Sequence, residues 1–127
     1  MNPDLTRYLI TGAFLLNGIG MLGAALTLPV ALQKPDQPFG HSWILRRFGT
    51  QTEAVVGTVL WGLAGIGFIG AGVGYFLDTT WWTYFAWVGA PANIAAIALW
   101  FAAVPPGTYI GGMMAALTLG WIAYLAS

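Results

Sequence analysis

The stretch EAVVGTVLWGLAGIGFIGAGVGYFL, residues 53–77, decides the fold. After Glu53 it carries no charged side chain until Asp78. The hydrocarbon core of a bilayer is about 30 Å thick and needs about 20 apolar residues in a helix to cross it. This run is long enough and apolar enough. Within it Ala64, Gly67, Gly70, Ala71 and Gly74 recur at helical spacing on one face, and Gly70 to Gly74 forms a GxxxG. Lipid tails are as apolar as leucine, so membrane helices associate through close backbone contact, which small residues permit. Such a groove either packs against this chain's own helices or receives a partner subunit, a second copy or a flat ligand.

Three further spans are expected outward from this one, over residues 8–32, 81–104 and 108–125, with a polar loop at 33–52. Asp78-Thr79-Thr80 reads as a short turn, and Pro105-Pro106-Gly107 as the stop after the third span. Gly107 to Gly111 is a second GxxxG, continued by Ala115. Charged residues make up 6% of the 127 and hydrophobic ones 58%. A soluble domain carries roughly 25% charged residues. The expected fold is therefore all-α: one integral membrane four-helix transmembrane bundle spanning residues 1–127, in contact with membrane lipid.

The loop holds Lys34, Arg46 and Arg47, three of the four basic residues. By the positive-inside rule it faces the cytoplasm and both termini face outward. Pro35 and Pro38 argue for an extended start. Trp43, Ile44, Leu45 and Phe48 around the arginine pair fit a segment at headgroup level. Thr50 or Thr52 is positioned to cap the following helix, whose dipole favours Glu53 in its first turn. Trp81, Trp82, Tyr84 and Phe85, with Tyr8 and Tyr124, form an aromatic belt at the opposite interface.

Charge and composition exclude several functions. The net charge is zero, so nothing neutralises a run of phosphates and no nucleic-acid partner is expected. Cysteine is absent and histidine occurs once, so neither metal-ligand spacing nor a catalytic set can be assembled. Glu53 and Asp78 sit at the ends of the second span, and no acid lies at mid-membrane depth to couple transport to protons. The polar residues inside the spans are Asn17 and Asn93, each expected to bond across helices or to line a small polar pocket. Trp61 and Trp100 lie deep enough to stack on a flat ligand or to face lipid. These four are the candidate cofactor-binding residues, with a quinone, pigment or lipid as the candidate occupants. His41, Arg46, Arg47 and Glu53 form the loop's polar cluster, with Glu53 expected to pair with Arg46 or Arg47 as a surface ion pair.

Arg7, Gly12, Gly18 and Gly20, followed by Glu53, Gly57, Gly62 and Gly65, resemble the DoxX-like family of small four-helix membrane proteins over the first two helices. That resemblance implies the four-helix fold and an association with quinones or redox chemistry. The residues themselves point first to a non-catalytic subunit of a larger membrane complex, supporting assembly through its Gly-rich second helix. Its partners would be other membrane subunits or a second copy. A DoxX-like redox-associated protein and a small dimeric channel or carrier are the alternatives.

Overall fold

The computed structural model describes residues 3–32, 41–101, 104 and 107–127. Among these, the chain forms four α-helices: α1 (Pro3–Ala31), α2 (Thr50–Phe76), α3 (Trp82–Leu99) and α4 (Thr108–Ala126). One turn of 3-10 helix, Leu45–Phe48, precedes α2. The Pro35 and Pro38 segment and the Pro105-Pro106 stop fall outside the described residues. Helices α1, α2 and α4 are long and apolar enough to cross a membrane. Helix α3 is shorter, with 18 residues, and Thr83, Tyr84, Pro91 and Asn93 dilute its apolar character.

Local chemistry sets the helix ends. Gly49 precedes α2 with φ +98°, a backbone state that side chains disfavour. Helix α2 then starts at Thr50, earlier than expected, and neither threonine caps it: the position before the helix is Gly49. Thr52 Oγ1 instead donates back to Phe48 O at 3.1 Å. At the other end Asp78 takes φ +59°. Its N–H donates to Tyr75 O at 3.1 Å while Thr79 N–H reaches Gly74 O at 3.0 Å. That pair of bonds is a Schellman closure, in which a left-handed residue ends the helix and satisfies its last carbonyls. Helix α3 ends at Leu99, short of the expected Val104. Its terminal carbonyls lack partners within the helix; Ala98 O accepts from Trp43 Nε1 at 2.8 Å, and Leu99 O accepts from Ser42 Oγ.

Helix α2 lies at the centre, packed along its length against α1 on one side and α3 on the other, with α4 set against α3. The glycines explain the closeness. A methyl group added at Gly18 would lie 2.8 Å from Gly65 O, so α1 and α2 touch backbone to backbone. One added at Gly67 would lie 2.5 Å from Gly89 N and 2.8 Å from Phe85 O of α3. The Phe85 ring lies against Gly70, and Trp81 and Trp82 cover Gly74. In the expected groove, Gly67, Gly70 and Gly74 thus face residues 81–89, and Ala64 and Ala71 are buried.

Two apolar clusters lie along the interior. One joins Met21, Ala25 and Leu28 of α1 to Trp61, Ala64, Ala96 and Trp100. The other joins Phe14 to Phe68, Ala71, Trp82, Ala86, Ala115 and Ile122. Trp82 departs from the expected belt: it is 8% exposed, and its ring sits 5.4 Å from Tyr75 and 5.0 Å from Trp121. Trp81, Tyr84 and Phe85 remain on the surface.

Candidate functional site

Helices α1 and α4 approach each other at few points, and a cleft runs between them. Two adjoining hollows of about 490 and 210 Å³ share Gly20, Met21 and Thr108 in their walls. Leu16, Ile110 and Met114 line the larger; Ala24, Thr27 and Trp61 line the smaller. Gly20 and Gly107 leave this space open, since a methyl group added at either would meet nothing within 4 Å. Gly111 alone closes on α1, where its added methyl would lie 2.5 Å from Asn17 Oδ1 and 3.3 Å from Met21 Cε.

Asn17 is the one polar side chain of α1 in the wall of the larger hollow. It is 8% exposed, and its Nδ2 has no hydrogen-bond partner. An enclosed amide without a partner costs about 1–3 kcal/mol, so such groups are rarely left unanswered. A carboxamide carries both a donor nitrogen and an acceptor oxygen. The methionines beside it are unbranched and polarisable, suited to an irregular apolar guest.

The other candidates separate from this cleft. Asn93 is fully enclosed in α3, with neither Oδ1 nor Nδ2 bonded, and it does not line the hollows. Among the described residues, neither asparagine makes the expected amide bond across helices. Trp100 is also enclosed. It packs over Gly57 with its ring 6.2 Å from Trp61, so it faces neither ligand nor lipid. Trp61 shares that contact but reaches the floor of the smaller hollow. Of the expected set, Asn17 lines the larger hollow and Trp61 the smaller one beside it. Met21, Met114 and Thr108, which complete the walls, carry no pattern in the sequence that sets them apart from packing residues.

The loop cluster is assembled differently from the expected surface pair. Glu53 is 1% exposed. Its carboxylate lies 3.2 Å from His41 Nδ1 and accepts from Ser42 N–H at 3.3 Å. Arg46 and Arg47 do not touch it; both are exposed. Ser42 acts as the loop's anchor, accepting from Leu45 N–H at 3.2 Å while donating to Leu99 O. Helix α2's first turn, the loop and the end of α3 are thereby tied together.

Among the described residues no group of His, Asp and Glu is placed to hold a metal ion. No family model, curated protein or solved structure matches this chain.

Proposed function

We propose that the chain is an integral membrane protein with four spans, α3 being the fourth, and that it holds a small membrane-soluble molecule in the α1–α4 cleft. The occupant is apolar over most of its surface and carries one neutral hydrogen-bonding group, as a quinone or a pigment does. The loop lies in the cytoplasm and both termini lie outside, following the distribution of basic residues. Packing of α3 on α2 through Gly67 and Gly89 supports its place among the spans. So does the aromatic edge at Trp81 and Tyr84, which suits an interface.

The observation that carries the binding reading is the Asn17 side chain, an amide with an unbonded nitrogen set in the wall of an otherwise apolar cleft. An apolar acyl chain would fill the hollow but offer the amide no hydrogen bond; a molecule carrying one neutral polar group could. Among the described residues that line the cleft there is no acid–base set, and the proposed role is to hold a molecule. Assembly with other membrane subunits remains compatible with this reading, but it must use a face other than the glycine groove of α2, which α3 covers.

Extraction in mild detergent followed by mass spectrometry of bound small molecules tests the proposal. The wild-type chain is expected to retain one neutral species near unit stoichiometry. Asn17→Leu should lose it while melting at about the same temperature, since the change removes an unanswered amide and retains volume. Retention of the same species by the leucine variant would refute the assignment.

A further inference from the structure

A second cavity, of about 560 Å³, opens beside the loop and is lined by His41, Arg46, Arg47, Gly49, Thr50 and Glu53. Its charge is unbalanced. Glu53, the acid in its wall, is engaged by His41 Nδ1 and Ser42 N–H. Among the described residues neither Arg46 nor Arg47 has an ion-pair partner. The backbone carrying the two arginines is held in place, because Ser42 Oγ and Trp43 Nε1 donate to Leu99 O and Ala98 O at the end of α3. On either side of the pair, Trp43 and Phe48 present exposed rings.

We infer that this cavity binds the phosphate of an anionic phospholipid headgroup. Two guanidinium groups on one fixed turn match the oxygens of a phosphate, which each can grip through paired N–H donors. The cavity sits immediately before α2, a helix apolar enough to cross a membrane, which places it at headgroup depth. The flanking rings of Trp43 and Phe48 distinguish the occupant from a free anion: they gain nothing from inorganic phosphate but rest against the glycerol and first methylenes of a lipid. The inference depends on α2 being a membrane span and is independent of what fills the α1–α4 cleft.

Native mass spectrometry of the detergent-held chain, titrated with phosphatidylglycerol, phosphatidylcholine or inorganic phosphate, tests it. Two basic residues near an anionic surface are expected to favour phosphatidylglycerol over phosphatidylcholine about thirtyfold. Arg46→Gln with Arg47→Gln should reduce that preference to near unity at an unchanged melting temperature. Arg46→Lys with Arg47→Lys should keep part of it, because charge survives and the fork is lost. Equal binding of the two lipids, or a preference that survives the double glutamine variant, overturns the headgroup site alone. Displacement of the lipid by inorganic phosphate overturns the lipid in favour of a free anion. A chain that stays in solution without detergent overturns both this site and the membrane reading.

Discussion

The two flanks of α2 and the seam between α1 and α4 are built from the same residue type and behave in opposite ways. At two points along α2, glycine meets backbone: Gly65 faces Gly18 O and Gly67 faces Gly89, with no room for a side chain between. Along the α1–α4 seam, Gly20 and Gly107 face open space, and only Gly111 closes on Asn17 and Met21. A glycine tightens a helix pair only where a second backbone comes within reach; elsewhere it removes the side chain that would have filled a hollow. The buried amides follow the same division. At the open seam the Asn17 side chain lines a cavity, whereas Asn93 lies sealed in the interior.

The comparison breaks most visibly at Gly67. Gly67→Leu forces a side chain into the backbone contact with Gly89 and should destabilise the fold by about 3 kcal/mol or more. Unfolding equilibria in detergent would read this, and a change below about 1 kcal/mol would mean that α2 and α3 are not in close contact. Next in size comes the tie between loop and helices. Glu53→Ala removes the acceptor shared by His41 and Ser42 N–H, for an expected loss of about 1–2 kcal/mol. Faster proteolysis between α1 and α2 should accompany it, and an unchanged cleavage rate would count against the tie. The smallest effect belongs to the open seam. Gly20→Ala adds a methyl group where nothing lies within 4 Å, so no clash opposes the gain of about 0.5–1 kcal/mol that alanine brings over glycine inside a helix. The same methyl narrows the cleft, so ligand retention should fall while the melting temperature does not.

Much of this architecture is legible in the sequence because long uncharged runs have few alternatives to a helix. The turn at Asp78 and the glycine face of α2 were readable for that reason. The bounds of α3 were not: its end depends on Ser42 and Trp43, residues far away in the chain that take up the carbonyls of Leu99 and Ala98. The inward turn of Trp82 was hidden too, since its partners Tyr75 and Trp121 come from two other helices. For the candidate site, spacing alone picks out Asn17 as a polar residue at depth. It does not separate Asn17 from Asn93, because what distinguishes them is how closely α4 approaches, a property of the packed helices. Likewise His41, rather than an arginine, reaches Glu53 because of the way Ser42 anchors the loop. No charge pattern encodes that choice.

The α1–α4 cleft is proposed to hold a specific molecule, where other apolar surfaces would meet only bulk lipid. Leu16 lines the cleft and Leu26 does not, yet they are similarly open at 74% and 78% exposed. A photo-crosslinking benzoylphenylalanine placed at each position in turn, and illuminated in native membranes, compares them directly. A single discrete small-molecule adduct at position 16, with a spread of phospholipid masses at position 26, is the result predicted. The same phospholipid spread at both positions would contradict it.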